Sequence, residues 1–189
     1  KSTALFAGKT KFSLWQRSWG NSLDRVSIRE KDVRLTAAVR TDLRRQRRAL
    51  RFWHIATPDR AGHEHGFLTR RYLDAVVKTD KMLGSVLRII QQSPRLRATT
   101  AVVLTSDHGA TRGRAHDDFR RLSNQKILFA INPVTRRHPG RTQPAYDATL
   151  PPIRNADAGN LVLDLLGLPA IPGSEINFAQ DLTWSGSAR

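Results

Sequence analysis

Apolar residues recur along this chain with two different periods. Between residues 31 and 48, Leu35, Val39 and Leu43 are spaced four apart with arginines on the other faces, which predicts an amphipathic helix. Its end carries Arg44, Arg45, Arg47 and Arg48, cations suited to the negative end of a helix dipole. A longer helix is predicted from Thr69, a good N-cap, to about Gln92, with Pro94 beyond it. Tyr72, Leu73, Val76, Val77, Leu83, Leu87 and Ile90 would form its apolar stripe. Short runs at Leu50 to Ala56, Thr99 to Thr105 and Lys126 to Ile131 read as buried strands. Residues 1–20 read as a short strand and a loop, with Phe6, Phe12, Trp15 and Trp19 as packing aromatics. Residues 134–153 lack any period and read as a long loop; Asp157 is expected to cap a helix at Leu161 to Leu166, closed by Gly167. Strands alternating with helices predict an α/β fold with a largely parallel sheet. At 189 residues the chain suffices for one domain, taken as 1–189.

Composition narrows the chemistry. There is no cysteine, so disulfides and thiolate metal sites are excluded, and histidine and carboxylate are the metal ligands left. The 32 Lys and Arg against 16 Asp and Glu give a formal charge of +16, which favours anionic partners such as phosphate esters or nucleic acid. The arginines are dispersed rather than gathered in a stripe, so a solvated basic surface explains much of that charge. No apolar run approaches the roughly 18 residues of a membrane span. The chain starts at Lys1 without the regions of a signal peptide, which suggests a processed or truncated product.

Two segments carry chemistry. After the first predicted strand comes Thr57-Pro58-Asp59-Arg60-Ala61-Gly62-His63-Glu64-His65-Gly66. Pro58 is expected to end the strand, and Gly62 and Gly66 to turn the backbone so that Asp59 and His63 face one centre. After the second comes Ser106-Asp107-His108-Gly109, where the glycine permits a tight turn. Asp and His are oxygen and nitrogen donors that a catalytic divalent ion takes. Strand ends at the carboxyl edge of an α/β sheet are where such sites assemble. His54, inside an apolar strand, reads as a core histidine.

At these motifs the chain resembles the alkaline phosphatase superfamily, and within it the type I phosphodiesterase/nucleotide pyrophosphatase-like group. Pro58-Asp59-x-x-Gly62-His63 and Ser106-Asp107-His108-Gly109 carry the likeness. So do the stretch Gly8-Lys9-Thr10-Lys11-Phe12 and the late element from Asn155-Ala156-Asp157 to Leu166-Gly167-Leu168-Pro169. The resemblance implies an alkaline-phosphatase-like α/β/α sandwich, and a metal-dependent phosphoric ester hydrolase acting on a small phosphate ester. It implies two divalent ions, zinc first and manganese as the alternative. Asp59 and His63 would hold one, Asp107 and His108 the other. His116 is the expected third ligand of the first metal, with His138 and His65 as fallbacks; Arg112 and Arg114 are candidates for substrate phosphate.

The family's Thr or Ser nucleophile, expected upstream of Gly8, matches no residue of the chain. The expectation is therefore the C-terminal part of such a domain, impaired alone, with an incomplete sheet through which copies could associate. Relatives of this type are often exported, which favours an extracytoplasmic location. A sulfatase or phosphonate hydrolase of the same superfamily is one alternative. A non-catalytic basic module that binds polyanions is the other.

Overall fold

The computed structural model describes residues 1–132 and 153–182. Its backbone contacts divide it into two compact units: Lys1–Pro94 with Ala110–Asp117, and Arg95–Gly109 with the chain from Asp118 onward.

The first unit is built on a parallel three-stranded sheet. Strands β1 (Thr3–Ala7), β2 (Val26–Ile28) and β3 (Leu50–His54) lie in the order β2-β1-β3, with Leu5 facing Val26 on one side and Phe52 on the other. Ala4, Leu5, Phe6 and Ala7 are all buried, as a central strand covered on both faces requires. Leu5 and Ala7 pack with Phe12 against Trp15, Leu23, Val26 and Ile28. Residues 1–20 are therefore more ordered than their sequence suggests. Helix α1 (Ser13–Trp19) follows β1, and its Trp15 meets Phe12 edge-on at 5.0 Å. His54 packs its ring 4.6 Å from Phe12, as a core histidine should.

Helix α2 (Asp32–Arg45) has the expected period and buries Leu35, Val39 and Leu43. The segment Thr57–His65 departs from expectation: it is helix α3, not a turn. Pro58 sits in its first turn, where the missing N–H costs nothing. Gly62 serves packing, since a β-carbon there would overlap the Phe67 ring. Only Gly66, with φ 91°, turns the chain.

Helix α4 (Arg70–Gln92) has the expected bounds, and Thr69 caps it by accepting from the Tyr72 N–H. Its buried face matches the predicted one only in part, at Ile90 and the half-buried Tyr72, Leu83 and Leu87. Ala75, Met82, Val86, Ile89 and Ile90 are buried, whereas Leu73, Val76 and Val77 are exposed. The apolar residues of α4 cover more of its circumference than the fold uses, so period alone did not fix the face.

Pro94, the last residue of this stretch of the first unit, opens helix α5 (Pro94–Thr99), and in the second unit the predicted strand is shortened to β4 (Val102–Thr105). Only the four-residue helix α6 (Leu122–Gln125) stands between β4 and β5 (Phe129–Asn132). The two strands pair antiparallel, with Val102 facing Asn132 and Thr105 facing Phe129, whereas the sheet of the first unit, taken by itself, is parallel. The predicted loop at 134–153 lies, apart from Ile153, outside the described residues.

Helix α7 (Asp157–Leu165) begins four residues earlier than predicted. Asp157 is not its cap but its first residue, and it accepts the N–H of Arg154 at 2.6 Å rather than one of the helix's own; Gly167 closes the helix with φ 63°. Asn160 is buried on this helix and satisfied on both sides. Its amide donates to Ser174 Oγ and Ile176 O, and its oxygen accepts the Ile171 N–H at 2.8 Å. That side chain ties residues 171–176 to α7. Asn160→Ala strands these backbone groups and is expected to lower unfolding free energy by about 1–3 kcal/mol. Urea denaturation measures it; a loss under about 0.5 kcal/mol would remove this account of the clamp.

Candidate metal centres

Asp59 and His63 are four residues apart on α3, and that spacing stacks them on one face of the helix. The sequence suggests that a sharp loop aims both; in the structure a helical turn brings them together. His116 reaches them from the segment 110–117. This segment is pinned by the Phe67 N–H, which donates to Gly113 O at 2.6 Å. The Phe67 ring is buried and meets His63 and His116 edge-on, at 5.5 and 5.6 Å between centroids.

Three donor atoms converge in this unit. His63 Nε2 lies 3.3 Å from Asp59 Oδ1, His116 Nε2 lies 3.5 Å from the same oxygen, and the two nitrogens are 3.2 Å apart. A tetrahedral zinc ion with bonds of about 2.0–2.2 Å spaces its ligands about 3.3–3.6 Å apart. The triangle is therefore of the size a tetrahedral ion needs. His63 Nδ1 is 2.8 Å from the Arg114 carbonyl oxygen, so donation there leaves Nε2 with its lone pair toward the centre. An outer acceptor of this kind is the usual way a ligating histidine is oriented.

The surroundings are equally specific. Lys9 Nζ contacts the other carboxylate oxygen, Asp59 Oδ2, at 2.6 Å. The buried Asp32 carboxylate accepts the Ala56 N–H at 2.9 Å, the Thr57 hydroxyl at 2.6 Å and Arg60 Nη2 at 3.1 Å. These bonds fix the start of α3 and thereby the aim of Asp59. Burial, and secondarily the Asp59 charge, pushes the Tyr72 phenol above its ordinary range. Lys9, Asp32 and Phe67 were not singled out from sequence as supports of the site. Their one sequence signal is proximity to the motifs, as with Lys9 in Gly8-Lys9-Thr10-Lys11-Phe12.

Asp107 and His108 belong to the second unit. They follow β4 directly, and Gly109 is required where it stands: a β-carbon would overlap the carbonyl oxygens of Ser123 and Lys126. The Gly109 N–H donates to Asn124 O at 2.7 Å. His108 Nδ1 lies 2.8 Å from Gly109 O, and its Nε2 lies 3.7 Å from Asp107 Oδ1. Asn155, from the late motif, donates its amide to Asp107 O at 3.0 Å and so braces this turn.

The remaining candidates divide clearly. His65 is turned toward Arg71 and Glu64, at 3.3 and 3.5 Å. His138 lies outside the described residues. Arg112 and Arg114 are exposed, and Arg114 meets the site through its backbone oxygen.

Comparison with known proteins agrees with this chemistry. No curated protein and no solved structure matches the chain. The model of one family, type I phosphodiesterase / nucleotide pyrophosphatase, matches residues 6–146, a stretch that contains Asp59, His63, Asp107, His108 and His116. With well over half of its length matched, this chain belongs to the type I phosphodiesterase/nucleotide pyrophosphatase family of the alkaline phosphatase superfamily, and its kind of function is phosphoric ester hydrolysis.

Proposed function

We propose that the protein is a metal-dependent phosphodiesterase or phosphatase in which Asp59, His63 and His116 hold one divalent ion. Asp107 and His108 hold a second. The observation that carries this reading is the triangle of Asp59 Oδ1, His63 Nε2 and His116 Nε2, with edges of 3.2–3.5 Å. Oxygen and imidazole donors without thiolate suit zinc, with manganese as the alternative. An ion bound there acts as a Lewis acid toward a phosphoryl oxygen and lowers the pKa of a hydroxyl or water beside it. The chain's own part is to orient the His63 ring through the Arg114 carbonyl oxygen and to aim one Asp59 oxygen between the two imidazoles. The exposed guanidinium groups of Arg112 and Arg114 supply cations for the substrate phosphate. The attacking group is assigned to no residue of the 189.

Cleavage of bis-p-nitrophenyl phosphate and p-nitrophenyl phosphate tests the proposal. The expected result is turnover that a chelator abolishes and added zinc or manganese restores. Turnover that survives exhaustive chelation would refute metal dependence. Salt-sensitive binding of a polyanion without metal uptake would instead favour a basic binding module.

A further inference from the structure

The two oxygens of the Asp59 carboxylate are treated differently by the protein. Oδ1 faces the imidazole nitrogens of His63 and His116, while Oδ2 is engaged by Lys9 Nζ at 2.6 Å. We propose that Lys9 is a positioning residue for the metal centre: its ammonium holds Oδ2, so that Oδ1 stays aimed at the space between the two histidines. The inference rests on the metal-centre reading and adds a residue to it.

The presentation of Lys9 is built rather than accidental. Lys9 and Asp59 follow the C-terminal ends of neighbouring parallel strands, β1 and β3, whose last residues Ala7 and His54 are in register. The backbone before Lys9 is pinned at both ends of one residue: the Gly8 N–H donates to His54 O at 3.1 Å, and Gly8 O accepts from Arg60 Nη1 at 3.3 Å. Arg60 is the neighbour of Asp59, and its other nitrogen donates to Asp32 Oδ2 and to Glu30 O. Gly8 leaves no room for a β-carbon, which would overlap Asp32 Oδ1. One network thus sets where Lys9 starts and where Asp59 starts. Both side chains are mostly sheltered, with 29% and 16% exposure, so the contact is less screened than a surface ion pair.

The residue type fits the task. A lysine ammonium is a point charge that can satisfy one oxygen, whereas an arginine fork tends to take both oxygens of a carboxylate. Engagement of both would remove the oxygen that a metal needs. Outer partners of this kind typically change metal affinity 10–100-fold when removed.

The test is zinc affinity of the full chain by competition with a chromophoric chelator, with the cobalt-substituted absorption spectrum as a second readout. Lys9→Met is expected to weaken zinc binding about tenfold or more and to alter the cobalt d–d bands. Lys9→Gln, which keeps an N–H donor without the charge, is expected to fall between Met and wild type. Thermal unfolding of the metal-free variants separates folding damage from loss of aim. A Lys9→Met protein with lowered Tm but wild-type zinc affinity would overturn the proposal, because Lys9 would then be a structural contact alone. Tighter zinc binding would also overturn it and make Lys9 a competitor of the metal. Wild-type protein that binds no zinc would remove the metal-centre reading itself, and Lys9's role with it.

Discussion

Replacing His116 by alanine is expected to weaken zinc binding on the order of 100-fold or more, while His65→Ala leaves it within about twofold. Changing an outer partner already costs 10–100-fold, so removing a ligand should cost at least as much. The two histidines were competing candidates for the same role, and the structure separates them. His116 Nε2 lies 3.2 Å from His63 Nε2 and 3.5 Å from Asp59 Oδ1. His65 shares α3 with Asp59 and His63 but is two positions beyond His63, off the face they share, and pairs with Arg71 and Glu64. Chelator competition on the two variants decides the matter. Equal losses, or a larger loss at His65, would reassign the third ligand.

The largest effect on stability is expected at Asp42. This carboxylate is fully buried on the last turn of α2, where the helix dipole disfavours an anion. Three arginines offset that. Arg48 Nε lies 3.0 Å from both carboxylate oxygens, Arg51 Nε 2.9 Å from Oδ2, and Arg25 Nη1 3.7 Å from Oδ1. Arg48 and Arg51 are themselves mostly buried, at 10% and 14% exposure. Asp42→Ala leaves these cations facing one another without a counter-charge, which costs about 3–5 kcal/mol. For a chain of this size that corresponds to a Tm lower by about 6–20 °C. Asp42→Asn keeps the shape and one acceptor and should lose less. Differential scanning calorimetry measures both, and an alanine variant within about 1 °C of wild type would contradict the argument.

How much of this was legible beforehand depends on the range of the interaction concerned. The strand-and-helix alternation, the bounds of α4, the cap at Thr69 and the C-terminal glycine Gly167 all follow from residues within a few positions of one another. So does the pairing of Asp59 with His63, although the local backbone was misjudged. Pro58 and Gly62 read as breakers, yet one sits in a first helical turn and the other makes room for Phe67. What the sequence did not reveal depends on contacts between distant positions. Lys9 meets Asp59 across fifty residues, and Asp32 anchors Ala56, Thr57 and Arg60 from more than twenty residues away. No local pattern encodes such pairs. The buried face of α4 is only partly legible for a related reason. Leu73, Val76 and Val77 satisfy the helical period as well as Met82 and Val86 do, and only the packing partners choose between them.

We propose that Asp59, His63 and His116 form one metal centre. Zinc-edge anomalous diffraction from crystals of the zinc-loaded protein tests it most directly. A peak is expected about 2.0–2.2 Å from Asp59 Oδ1 and from Nε2 of both histidines. A zinc-loaded crystal whose anomalous peaks all lie away from these three atoms would contradict it.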